Sequence, residues 1–187
     1  MLTARLTGDW DRLRGVFNTL PGQMQRAGTA ALREEGEHLR AEMVAGIASG
    51  APGGYPFAPL SPLTLLLGGG GRPMMRSRAL VWSIVVTEER GGVFVGIRGD
   101  RVKIAQLHAA GASYRRTLSP RQRRWFFGAL RRAGQTPTPG AGVGMVRLPP
   151  RPIVGPVISK AFGGGFAMGE RLRKSFARNM GGVLGTA

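Results

Sequence analysis

The chain has 187 residues, a formal net charge of +17 and no cysteine, which excludes disulfides, thiolate chemistry and cysteine metal ligation. Its two histidines, His38 and His108, are too few for a histidine-rich metal centre. No run approaches the roughly 20 apolar residues that span a bilayer, and the charged start MLTARLTGDWDRLR is unlike a signal peptide. A soluble cytoplasmic product of one domain, long enough to bury a core, is expected.

In chain order, Trp10, Leu13, Val16, Phe17 and Leu20 have helical spacing behind Asp9 as N-cap. Pro21 is expected to interrupt this helix and to open a second one, running to Ile47. The stripe of that helix is Met24, Ala27, Ala31, Leu32, Leu39, Met43 and Ile47, with Glu34, Glu35, Arg40 and Glu42 away from it. Ser49–Gly71, with four prolines and ending in glycines, reads as a loop in which Ser61–Pro62 starts a short helix. The glycine run at residues 68–71 is not followed by Lys-Ser/Thr and is no phosphate-binding loop.

Leu80–Thr87 and Val93–Arg98 predict a β-hairpin turning at Gly91–Gly92. A short helix over Val102–Gly111 follows, with Asp100 as N-cap, and His108 is expected to pack its ring on the sheet while bonding a backbone carbonyl. Because a lone hairpin is marginal, further strands are expected near Ala112–Leu118 and Met145–Leu148. Ser119–Pro120 caps a basic helix that Gly134 ends, and Val154–Met180 is helical with a weak point at Gly163–Gly165.

These elements predict an α+β fold: a small antiparallel sheet with a long N-terminal helix and a C-terminal helix packed on it, plus an inserted basic helical arm. As a single domain it divides into N-terminal helices (1–47), a long loop (48–79), a hairpin-and-helix core (80–118), the arm (119–134), a flexible linker (135–147) and an exit with the C-terminal helix (148–187).

Several short motifs occur in a fixed order. They are Phe57-Ala58-Pro59-Leu60-Ser61-Pro62-Leu63-Thr64, then Leu80-Val81-Trp82-Ser83-Ile84, then Ala105, His108 and Gly111 as A-x-x-H-x-x-G. Arg121-Gln122-Arg123-Arg124-Trp125-Phe126-Phe127 and Pro149-Pro150-Arg151-Pro152-Ile153-Val154-Gly155 complete the series. In this order, over residues 24–178, the chain resembles the bacteriophage virion morphogenesis (tail completion) family, with Arg78-Ala79 where the family has Thr-Gly. The resemblance implies a structural virion protein without catalytic activity or cofactor. It also implies a homo-oligomeric ring, a hexamer by family expectation, that joins tail to head as a neck, tail-completion or tail-terminator part. Its partners would be itself, the neighbouring connector and tail proteins (tube, and sheath if the tail is contractile), and genomic DNA in the channel. It would be located in the virion, after assembly in the host cytoplasm.

Charge adds a reading of its own. Residues 1–100 carry 11 Lys+Arg against 9 Asp+Glu, while residues 101–187 carry 16 against the single Glu170. So lopsided a field implies an anionic neighbour, nucleic acid or an acidic protein surface. The candidate interface residues are Arg121, Arg124, Trp125, Phe126 and Phe127 on the arm, Arg151 between its prolines, and Arg171, Arg173, Lys174 and Arg178 on the last helix. Arg151 is expected to neutralise a carboxylate that locks the last helix, or to bridge to the next subunit. The alternative class is an arginine-rich nucleic-acid-binding protein, whose hold on DNA would depend steeply on salt.

Overall fold

A computed structural model describes residues 8–66, 71–75, 77–132, 134–136, 143–163 and 166–184, apart from the side chains of residues 11, 12, 63, 66, 143–146 and 182–184. Gly68–Gly70, Gly164, Gly165 and part of the expected 135–147 linker lie outside the described residues. The fold is α+β, as the pattern predicts.

Its longest element is α1 (Trp10–Ser49), 40 residues with Pro21 inside. The expected break at Pro21 does not occur. A proline frees the carbonyl four residues back; here that belongs to Phe17, which is 66% exposed, so water can satisfy it. Only the C-terminal half of α1 is packed. Ala27, Ala31, Leu39, Met43 and Ile47 are buried there, whereas Trp10, Leu13, Val16, Phe17 and Met24 are exposed. Three expectations for its stripe are corrected: Met24 and Leu32 are exposed, and Glu35 is buried at 4%. The cause is that α1 is covered on two sides, by a hairpin and by the last helix, so its buried arc is wider than one stripe.

The Ser49–Gly71 segment is not all loop. A 3-10 turn, Pro52–Gly54, tucks beneath the end of α1, and α2 (Pro62–Leu66) follows. Ser61 Oγ accepts from the Thr64 amide at 3.2 Å, the cap expected of it. The first strand begins later than its composition suggests: Ala79–Trp82 forms a short helical turn, α3, and β1 covers Ile84–Glu89. It pairs antiparallel with β2 (Gly92–Ile97), from Ile84 opposite Ile97 to Glu89 opposite Gly92, around Gly91 at φ +85°.

This hairpin lies across α1 at Gly36. A methyl group there would stand 2.9 Å from Val86 Cγ1, 3.1 Å from Val93 Cγ1 and 3.2 Å from Val95 Cγ2. Gly36→Ala should therefore destabilise the fold by about 1–2 kcal/mol through overpacking, measured by urea denaturation.

Next come α4 (Arg101–Ala110) and β3 (Ala112–Thr117). The expected Asp100 cap is not made: its backbone is helical and its side chain bonds no amide of the turn. Gly111 between them has φ +72°, and a Cβ there would lie 2.8 Å from the Leu148 carbonyl, so both conformation and space require glycine. After α5 (Pro120–Arg132), β4 (Val143–Leu148) pairs antiparallel with β3. Both added strands exist, and β4 replaces the second half of the expected linker. However, they form a separate two-stranded sheet and do not extend the first.

The chain closes with α6 (Val154–Gly163) and α7 (Phe166–Leu184); the expected weak point at Gly163–Gly165 falls mostly outside the described residues. The last helix packs along α1 and not on the sheet. The core joins Leu39, Met43, Ile47, Leu80, Ile84, Ile153 and Val157 from four elements and the approach to α6.

Candidate functional site: an arginine-rich arm

The elements β3, α5 and β4 stand apart from the body. The strands β3 and β4 pair with each other, and α5 makes at most marginal contact with any other element. Ser119 and Gln122 form a reciprocal capping box at its start: the Gln122 amide donates to Ser119 Oγ at 3.3 Å and the Ser119 amide to Gln122 Oε1 at 3.1 Å. At its end Gly134 has φ +74°, and the Gln135 amide donates to the Leu130 carbonyl at 2.9 Å.

The arm holds eight arginines (115, 116, 121, 123, 124, 131, 132 and 147), no lysine and no acid. Among the described residues none of the eight forms an ion pair. At 3.6 residues per turn, Arg121, Arg124, Arg131 and Arg132 share a sector of roughly 100°, and all four are exposed. Trp125, 58% exposed, borders that sector. Phe126, Phe127 and Leu130 lie on the other side and are half-buried, the two phenylalanine rings 6.0 Å apart. The sequence places Trp125 with Phe126 on one face; the structure separates them. The paired strands add Arg115, Arg116 and Arg147, with Arg147 opposite Ser113 on the β3–β4 sheet.

The basic residues of the last helix behave otherwise. Arg171 grips the buried Glu35 with two bonds, Nε to Oε2 at 2.8 Å and Nη2 to Oε1 at 2.6 Å. Arg178 pairs with Glu34, which also accepts from Ser175 Oγ at 2.6 Å. Arg173 pairs with Glu170 within α7; Lys174 is exposed. Thus Arg171 and Arg178 hold α7 on α1, and what the sequence offers as a docking face is largely an internal clamp.

The clamp gives a pH dependence. The Ser175 hydrogen bond, and after it Arg178, hold Glu34 below the usual glutamate value of 4.5. A folded-state pKa lower than the unfolded one adds stability that is full above the unfolded value and fades as pH falls through the folded one. Glu34→Gln should therefore flatten the acid limb of the stability profile, read from urea melts at neutral pH and at about pH 3.

Arg151 is buried and inward-facing. Nε donates to the Ala58 carbonyl and Nη2 to the Pro59 carbonyl, each at 2.9 Å, and its own amide donates to the His108 carbonyl. It meets two main-chain carbonyls where a carboxylate was expected. His108, expected to bond a carbonyl through its ring, instead has Nδ1 buried with no partner among the described residues. Burial, and then the nearby Arg151 charge, lower its pKa, so the ring is neutral.

Elsewhere, a cavity of about 280 Å³ between β2, α4 and the start of α6 is lined by Phe94, Ile97, Val102, Ala105, Ile153 and Val154. Its walls are apolar and bring no acid–base pair together. Among the described residues no cluster of acids and histidines could hold a metal ion, and no helix is long and apolar enough to cross a membrane. Comparison with family models, characterised proteins and solved structures gives no match for this chain.

Proposed function

We propose that this chain is a structural subunit of a phage-type particle, closing into a ring where head and tail join and acting without chemistry. The observation that carries this reading is the meeting of three motifs at Arg151. The Phe57–Thr64 loop supplies the Ala58 and Pro59 carbonyls, the A-x-x-H-x-x-G helix supplies the His108 carbonyl, and the R-P exit supplies the arginine. Motifs that would be weak singly thus form one physical node, which fixes the loop, the short helix and the root of α6 relative to one another.

A closed ring needs two unlike complementary surfaces on each subunit. Two unlike apolar surfaces are present. One is the stripe of Trp10, Leu13, Phe17 and Met24 on the overhanging half of α1. The other is the groove of Phe94, Val102, Ile153 and Val154 beside the hairpin. The exposed stripe is the kind of apolar patch that marks a contact site or a liability, and the groove is half-buried with Ile153 at its floor; in the ring both are covered.

Negative-stain imaging of the purified protein, alone and mixed with tail tubes, tests the proposal. Rings, free or seated on tube ends, are expected. A monomer at every concentration that ignores tubes would end the reading.

A further inference from the structure

We infer that the arm formed by β3, α5 and β4 binds the phosphate backbone of nucleic acid without reading its sequence, Arg121, Arg124, Arg131 and Arg132 being the gripping residues. This inference does not depend on the ring.

The first step is to ask which anion the arm serves. Eight arginines without one acid in residues 112–148 repel each other unless an anion stands among them. The glutamates of the chain's own body are not free to supply it. Each of its seven glutamates is already in an ion pair: Glu34 with Arg178, Glu35 with Arg171, Glu37 with Arg40, Glu42 with Lys160, Glu88 with Arg33, Glu89 with Arg98 and Glu170 with Arg173. Asp9 is engaged as well. A second copy brings the same paired glutamates and another +17, which opposes docking of the arm on its own kind.

The second step separates nucleic acid from an acidic protein. Protein interfaces need an apolar centre, and charged residues are depleted there. The outer face of α5 has the opposite composition. Its apolar side chains Phe126, Phe127 and Leu130 are half-buried on the inner side, and the exposed sector is four arginines with Trp125 at its margin. Nucleic-acid interfaces are polar and strongly positive. Arginine, the only cation of the arm, matches phosphate with a two-pronged fork. From Arg121 to Arg131 the helix rises about 15 Å, a length over which a duplex presents about nine phosphates. An exposed indole beside the arginines adds a surface on which a base or sugar can rest.

The test uses the full chain and a fluorescent random-sequence 24-mer, as duplex and as single strand, with anisotropy followed over a range of salt. A plot of log K against log salt with a slope of about −4 to −5 for the duplex is expected if four to six phosphates are neutralised. Arg121→Gln with Arg124→Gln should reduce that slope by about 2, and helicity by circular dichroism should be unchanged. Arg101→Gln with Lys103→Gln, which removes equal charge from exposed positions of α4, should leave it unchanged. Equal losses from the two double variants would overturn the inference, because the charge would then act as a diffuse cloud. Tighter binding of poly-glutamate than of either nucleic acid would also overturn it and make the partner an acidic protein. Arm-dependent binding by a protein that never forms rings would sustain this inference while refuting the ring.

Discussion

Arg151→Ala is expected to cost about 3–5 kcal/mol of folding free energy, taking two hydrogen bonds from a charged donor at roughly 1.5–3 kcal/mol each. The residue is 5% exposed, and its burial alone pulls its pKa below the ordinary arginine value. Its charge is tolerated there because the Ala58 and Pro59 carbonyls accept from two different nitrogens of the guanidinium. Truncation removes both bonds and leaves two carbonyls facing a void. Arg151→Lys keeps the charge but has no planar fork, so it should recover one bond and about half of the loss. Urea denaturation followed by circular dichroism measures both variants. The ring reading adds that Arg151→Ala loses assembly even where it remains folded, since the Phe57–Thr64 loop is no longer fixed against α6. A loss of less than about 1 kcal/mol would mean that the three motifs are neighbours without being a node.

The second large effect contrasts two methionines of α1. Met43 is 0% exposed within the main core, and Met43→Ala should destabilise the protein by about 2–5 kcal/mol through lost burial and the cavity left behind. Met24 lies on the overhang at 47% exposure, and Met24→Ala should change stability by less than about 0.5 kcal/mol. For assembly the order reverses. Placing charge in the overhang, as in Phe17→Asp, should abolish ring formation in sedimentation experiments while leaving the urea midpoint unchanged. Should Phe17→Asp assemble normally, the overhang is not one of the two ring surfaces.

Local signals in the sequence carried the fold class, the β1–β2 hairpin and the caps at Ser61, Ser119 and Gly134. β-Branched and aromatic composition marked β1, alternation marked β2, and Ser119–Pro120 marked the start of α5, because these depend on residues a few positions apart. What stayed hidden depended on distant partners. Pro21 reads as a helix boundary, yet nothing packs around it and its freed carbonyl can reach water. Glu35 reads as a surface residue because its partner Arg171 lies 136 positions away. The arm was visible as a basic helix, but the separate β3–β4 sheet that carries Arg115, Arg116 and Arg147 was not. Of the candidate interface residues, Arg121, Arg124 and Trp125 are exposed as expected, while Arg151 and Arg171 are spent inside the subunit.

The complete internal pairing of the glutamates has a further consequence, for the order of events. On the ring reading, subunits this cationic, with every glutamate already paired internally, meet against a repulsive field that dissolved ions weaken. Added electrolyte should therefore speed subunit association and loosen any hold on a polyanion. One ionic variable then drives the two processes in opposite directions. A long anionic strand threaded through the assembly would replace the missing counter-charge, so the cargo itself would stabilise the closed circle around it.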